Sequence, residues 1–359
     1  MNVGVQAERL AGLSPGASTG SSWPTPGFPP FVAMTHDRRR RAPSPVATAA
    51  ALAFGLVAGC TAETTAGAGA TSDTDPSATG TVGGEVVVLS LSANSPFFGE
   101  LAAGAQEAAD EAGVELTVLD AQDDAATQAD QLADAVVGNA DAVIVNPVDP
   151  TTAAAAVQPV LDAGIPLVAV DRAIDGVEVT SYVGSDNVDG GRQAAAALAE
   201  SVGFEGQVIH LEGITVTSAS RERGQGFDEG LADTPGVDLV ARQTADFARD
   251  EALDVTTTLL HANPDVVGIF AENDEMALGA IQALGDRAGT EVRVVGFGGT
   301  EPGLEAIAAG TMTSTIAQQP RELGAAGVVQ AVAAVRGRPV QEVVPVPVRR
   351  VDHDDVGGR

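Results

Sequence analysis

The chain has 359 residues, long enough for two domains with separate cores. It carries 49 acidic residues against 19 basic ones, a formal net charge of −30, and every basic side chain is Arg. So acidic a chain is a poor partner for nucleic acid, whose binding rests on Lys and Arg contacts to phosphate. Its single cysteine excludes a disulfide framework and any Cys-based zinc site.

Residues 1–59 are the one basic stretch, with five Arg against Glu8 and Asp37. Within it, four arginines (Arg38 to Arg41) lead into an apolar run that ends Val57-Ala58-Gly59-Cys60. A basic segment, a short apolar segment and small residues at the cut form a secretory signal, too short in its apolar part to span a bilayer. The signal works from Met34, so residues 1–33 read as an over-long translation start. Small residues immediately before one cysteine resemble the bacterial lipoprotein signal, which implies that Cys60 is acylated and becomes the mature N-terminus. The alternative is an ordinary signal peptide with an incidental cysteine. One acyl chain holds a protein only marginally, whereas two or more hold it stably. From 60 to 84 the chain after Cys60 is mostly Thr, Ala, Gly, Ser and Asp with no apolar period, a flexible tether.

The body begins near Glu85. Apolar runs "VVVLSLS", "LTVLD", "AVIVNP" and "PLVAVDR" alternate with alanine-rich segments that predict helices near 97–112, 126–138 and 151–163. A second series, "QVIHLEG", "DLVARQT", "VVGIFAEND" and "VRVVGFGGT", alternates with helices near 188–202, 218–232, 249–262 and 275–288. Continuous apolar strands with helices between them indicate parallel sheets covered on both faces. The fold class is therefore α/β, two doubly wound lobes in tandem with a cleft between them. A closing helix near 320–337 and the run "VVPVPVRR" are ambiguous as to lobe. Polar and charged residues gather at the carboxyl ends of the strands, where open α/β sheets bind small molecules.

Chemistry is conspicuous by what the sequence lacks. With no lysine there is no Walker-type phosphate loop, and "GFGGT" (296–300) lacks the spacing of a dinucleotide fingerprint. His210, His261 and His353 show no metal-like spacing with carboxylates and read as solvated or core-edge residues. No nucleophile elbow is present. Neither a cofactor, a metal nor a catalytic residue is expected.

The stretch "SANSPFFGEL" raises its own question, because a chain with 10 Phe, 1 Tyr and 1 Trp places Phe97 and Phe98 side by side. Adjacent residues on a helix project about 100° apart, so both cannot face one core squarely. Either one packs under the sheet and the other covers the helix start, or one faces a ligand.

Taken in order, "SPFFGELAAGAQEAADEAG", "PLVAVDR", "VGSDNVDGGRQAA", "TSASRERGQGF", "ADFARD", "AENDEMALGA", "VVGFGGTEPG" and "STIAQQP" resemble the ribose-type periplasmic sugar-binding proteins, receptors of ATP-driven importers. The likeness spans about residues 85–350. It implies a first lobe of 85–185 plus 319–347 and a second of 186–318 plus 348–353, joined by three crossings. It also implies closure of the lobes on a ligand. By the resemblance, Phe97 and Phe98 supply rings for a sugar face, with Phe247 as the opposing plate. Asp171 accepts from hydroxyls and Arg172 donates to them, Arg221 donates from the other lobe, Asn273 does both, and Gln318 completes the rim. Arg221 has the competing reading of a helix-surface partner for Glu222 or Glu229, and Asn273 that of a helix cap.

Two positions depart from the ribose pattern. Ser95 stands where the family has Asn before Pro-Phe-Phe, and Gly298 stands where ribose binders have Asp. These changes leave the class intact and argue against ribose, with Glu212, Glu272 or Glu301 as acids able to fill in. The implied function is a lipid-anchored, monomeric receptor that delivers a monosaccharide or polyol to a membrane permease. Competing functions are a sugar sensor, a lac-repressor-type regulator core, which would need a basic helix-turn-helix in front, and a sugar-modifying enzyme, which would need a base in the cleft.

Overall fold

The computed structural model describes residues 85–357; the expected start, signal, Cys60 and tether lie outside the described residues. The first series comprises β1 (Val86–Leu91), α1 (Pro96–Ala112), β2 (Glu115–Asp120), α2 (Ala125–Val137), β3 (Ala142–Val145), α3 (Ala153–Asp162), β4 (Leu167–Val170) and β5 (Ser181–Ser185). The second begins with α4 (Asn187–Ser201), β6 (Gly206–Glu212), α5 (Ser218–Ala232), β7 (Val237–Thr244) and α6 (Arg249–Ala262). It continues through β8 (Val266–Ala271), α7 (Asp274–Leu284), β9 (Arg293–Gly298), α8 (Glu301–Ala308) and β10 (Ser314–Ala317). Last come α9 (Pro320–Val335), β11 (Val343–Val346), β12 (Arg349–Asp352) and α10 (His353–Val356).

Two six-stranded sheets result, in the orders β11-β5-β4-β3-β1-β2 and β12-β10-β9-β8-β6-β7. All pairings are parallel except β10 with the edge strand β12. The period of two along β1 shows why each sheet needs two covers. Val87, Leu89 and Leu91 enter one core with Leu101 and Leu323, while Val88 enters the opposite core with Leu132 and Val157. The second sheet divides likewise, Ile209 and Leu211 to one side and Val208 to the other.

The chain crosses between sheets three times, after β5, after β10 and after β11. Helix α9 returns to the first sheet and packs along α1, close enough that a Cβ on Gly104 or Gly324 would strike the facing backbone. Helices α4 and α5 approach as closely through Gly191 and Gly226. That packing fixes the rotation of α5, which decides which of its arginines faces inward.

Four elements escaped the periodicity, among them the four-residue α10. Strands β5 ("SYVGS") and β10 ("STIA") carry hydroxyls where a buried strand reads as apolar, and α8 is only eight residues long. The run "VVPVPVRR" divides at Pro347 into β11 on one sheet and β12 on the other. The seventh helix stops at Leu284, and Gly285–Arg287 continue as a 3₁₀ turn.

Candidate ligand-binding cleft

The carboxyl ends of both sheets face a cavity of about 660 Å³. From the first lobe, β1 delivers Ser95, the residue before α1, in extended backbone; Pro96 then starts the helix, as its fixed φ and missing N–H favour. Phe97 and Phe98 occupy the first turn and meet edge to face, ring centres 5.1 Å apart. Phe98 is sunk into the core below α1, and both rings line the cavity. The packing reading of the doublet therefore holds for Phe98, and both rings stand where the ligand reading would need them.

Asp171 directly follows β4, and its φ of +65° turns the chain sharply. Its carboxylate is 5% exposed, accepts from Asn146 Nδ2 (3.1 Å) and lies 3.9 Å from Arg172 Nε. Burial pushes this carboxyl above its usual range, against the pull of Arg172, Arg223 and Asn146. Arg172 donates to the Pro147 carbonyl, and its guanidinium lies 5.9 Å from the Phe98 ring centre and 5.8 Å from that of Phe247. A cation thus stands between an aromatic of each lobe.

The second lobe supplies Phe247, itself at φ +61° after β7, and Asn273, which caps α7. Asn273 Oδ1 accepts from the Met276 N–H (2.8 Å) and Nδ2 donates to the Phe247 carbonyl (3.0 Å), so the cap also fixes the aromatic's loop. Gln318, at the second crossing, donates to Ser185 at the first (2.9 Å). Ser95, Phe97, Phe98, Asp171, Arg172, Phe247, Asn273 and Gln318 all line the cavity, and Gly298 lines it as well.

Arg221 does not. It is 46% exposed, donates to Asp175 and to the Val216 carbonyl, and lies on the outer face of α5. The arginine that α5 places in the cavity is Arg223, two residues on and about 200° around the helix. Arg223 is 4% exposed; its Nε donates to Asn187 Oδ1 (2.9 Å) and its Nη1 to the Glu272 carbonyl (2.6 Å). The guanidinium lies 3.9 Å from the Phe297 ring centre. Burial pulls its pKa down, against the attraction of Asp171 and Glu272. The motif "SRERGQGF" could have signalled this choice: Arg223 immediately precedes Gly224 and Gly226 on the close-packed face, whereas Arg221 does not.

The expected substitute acids are also elsewhere. Glu272 is fully buried and accepts from His210 Nε2 (2.9 Å), the Gly213 N–H (2.8 Å) and the Ser220 hydroxyl. His210 is neither solvated nor at the core edge; it is fully buried, stacked on Phe270 and tilted against Phe227, whose rings also stack on each other. Neither Glu212 nor Glu301 lines the cavity; Asp123, Asp246, Asp274 and Glu275 do. Asp274 is buried and accepts from the Thr300 N–H (2.8 Å), the Thr300 hydroxyl (2.9 Å) and the Thr315 hydroxyl (2.6 Å), and its carboxyl is pushed up by burial. A Cβ on Gly298, at φ +142°, would stand 3.0 Å from its Oδ2. Among the described residues, no group of His, Cys, Asp and Glu could hold a metal ion.

The model of the periplasmic binding protein domain matches residues 86–339. The chain belongs to the periplasmic binding protein family. It is 41% identical over 266 residues to the ribose import binding protein of Haemophilus influenzae, covering 74% of this chain and 90% of that one. A periplasmic solute binding protein from Actinobacillus succinogenes with bound D-allose matches with a TM-score of 0.71 and 32% identity, over 76% of this chain and 99% of that one. A solute binding protein from Bacillus halodurans with bound myo-inositol gives a TM-score of 0.72 and 32% identity, over 78% and 98%. These are substrate-binding proteins of transporters, not enzymes. Membership of the periplasmic binding protein family implies an extracytoplasmic location.

Proposed function

We propose that this chain is an extracytoplasmic receptor that holds one neutral monosaccharide or polyol between its lobes and hands it to an ABC-type importer. The observation that carries the reading is the pairing of aromatic rings and charged hydrogen-bonding groups from both sheets around one cavity. A sugar presents C–H groups on its faces and hydroxyls around its rim. Phe97, Phe98 and Phe247 suit the faces, while Asp171, Arg172, Arg223, Asn273 and Gln318 suit the rim. The relatives that bind ribose, D-allose and myo-inositol support this class of ligand.

Charge narrows the class. The lining carries Asp123, Asp171, Asp246, Asp274 and Glu275 against Arg172, Arg223 and Arg249, and Arg249 is already paired with Glu275. An anionic ligand meets an acid excess there, so sugar acids fall outside the preferred set. Gly298 puts no acid of its own into the cavity, which disfavours D-ribose among the neutral sugars and polyols. Acylation at Cys60 and a tether through residue 84 would hold the monomer at the membrane surface.

A thermal-shift screen of pentoses, hexoses, polyols and sugar acids tests the reading. A neutral hexose or polyol is expected to give the largest shift. The largest shift from D-ribose or a sugar acid would overturn the ligand class, and no shift from any of them would overturn the receptor. Intact-mass analysis of the membrane fraction is expected to find a chain starting at Cys60 with added acyl mass; an unacylated chain would remove the anchor.

A further inference from the structure

Arg221, absent from the cavity, takes part in a different contact. Asp175 lies on the chain between β4 and β5, four residues beyond Asp171, and so belongs to the first lobe. Arg221 lies on α5 of the second. Its Nη2 donates to both Asp175 oxygens, at 3.0 and 3.3 Å, while the Val216 carbonyl holds Nη1. Two residues before Asp175, the Ala173 N–H donates to the Ser218 hydroxyl of α5 at 2.9 Å. The segment that bears the ligand-facing Asp171 and Arg172 therefore runs directly into a second set of bonds to the other lobe.

We propose that Arg221 and Asp175 form a latch between the lobes, supported by Ala173 and Ser218, that sets ligand affinity from outside the cavity. The inference rests on the receptor reading above only in assuming a ligand; the contact itself does not involve one. Asp175 and Arg221 stand on different lobes, so the bond between them exists only while the lobes are together. Every increment it adds favours the joined state, and a ligand held between the lobes dissociates more slowly for it. Both side chains are largely exposed, 69% and 46%, so the pair is weak and screened by salt. That suits a latch, which must release.

The test compares wild type with Arg221→Gln, Asp175→Asn and the double variant, using D-ribose, D-allose, xylitol and myo-inositol in calorimetry and stopped-flow dissociation. For whichever of these sugars bind, each single variant is expected to weaken binding by the same factor, roughly two- to fivefold, through faster dissociation. The double variant is expected to be no weaker than either single one, and the difference to vanish at high salt. A loss that differs from sugar to sugar would mean that Arg221 touches ligand, and additive losses would mean that the two residues act separately; either result overturns the latch. Small-angle scattering without any sugar gives an independent reading. Wild type is expected to be more compact than Arg221→Gln at low salt and indistinguishable from it at high salt; equal radii at low salt would overturn the latch. If none of the four sugars binds wild type, the receptor reading loses support for these ligands while scattering still decides the latch.

Discussion

In the first lobe, the cavity wall comes from residues at strand ends, Ser95 to Phe98 after β1 and Asp171 with Arg172 after β4, seated on an apolar core. In the second, Arg223 stands within a helix, tied to Asn187 and to the Glu272 carbonyl above a buried His210–Glu272–Ser220 network, while Asp274 staples the turn after β9 to α7. One half is shaped by packing and the other by polar groups that must each find a partner. Substitutions of the first-lobe rings should therefore act through volume, and those of the second-lobe polar groups through broken hydrogen bonds.

The largest effect should come from packing. Phe98→Ala removes a ring sunk in the first-lobe core and is expected to cost about 3 kcal/mol of stability, together with most of the sugar affinity. Phe204, 57% exposed and distant in sequence from every cavity-lining segment, should cost no more than about 0.5 kcal/mol as Phe204→Ala and leave binding unchanged. Chemical denaturation and calorimetry read both; equal effects would erase the distinction between the doublet and an ordinary surface ring.

On the polar side, Arg223→Gln should weaken binding about ten- to a hundredfold, since hydrogen bonds to a charged group are each worth about 1.5–3 kcal/mol. Arg221→Gln, two residues away, should cost far less. The opposite order would contradict the rotation of α5 that turns Arg223 inward and Arg221 outward.

A smaller effect is expected at Gly298. Its φ of +142° and the nearby Asp274 carboxylate leave little tolerance for a side chain, so Gly298→Ala should lose about 1 kcal/mol. Gly298→Asp should fare worse, because a second carboxylate would crowd Asp274; a stable Gly298→Asp protein with enhanced ribose binding would contradict this geometry.

Asp171 offers the finest test, through pH. Its folded-state carboxyl is raised by burial, so the native chain keeps a proton over a range where the unfolded chain, near its ordinary value of about 3.9, has lost it. That proton's contribution to stability falls as pH rises through the range, and the unfavourable charge is fully present above it. Asp171→Asn removes the dependence. Thermal midpoints of the variant should gain on wild type as pH rises from acid to neutral, while sugar binding weakens. A gap that does not change with pH would remove burial as the cause.

The same contrast explains what could be read from the sequence. The parallel sheets, the two lobes and the first-lobe wall were legible because apolar runs mark strands, and side chains immediately after a strand must lie at its carboxyl end. Asn273, in the "AEND" that ends a strand, was legible for the same reason, whereas Phe247 and Gly298 were singled out only by the family resemblance. Arg223 was not, since "RER" places two arginines on opposite faces of one helix and only the close packing of α4 on α5 selects between them. The buried His210–Glu272 pair was invisible because each residue reads as surface until the other is found 62 positions away. Strands β5 and β10 were missed because their serines and threonines are buried in the sheet rather than exposed.

The claim that both lobes grip one sugar is tested most directly by titration calorimetry with the sugar giving the largest thermal shift. Wild type should bind one molecule per chain, and both Phe97→Ala in the first lobe and Arg223→Gln in the second should lose at least about tenfold in affinity. Unchanged binding in either variant would mean that one lobe holds the sugar alone, and would contradict the shared cavity.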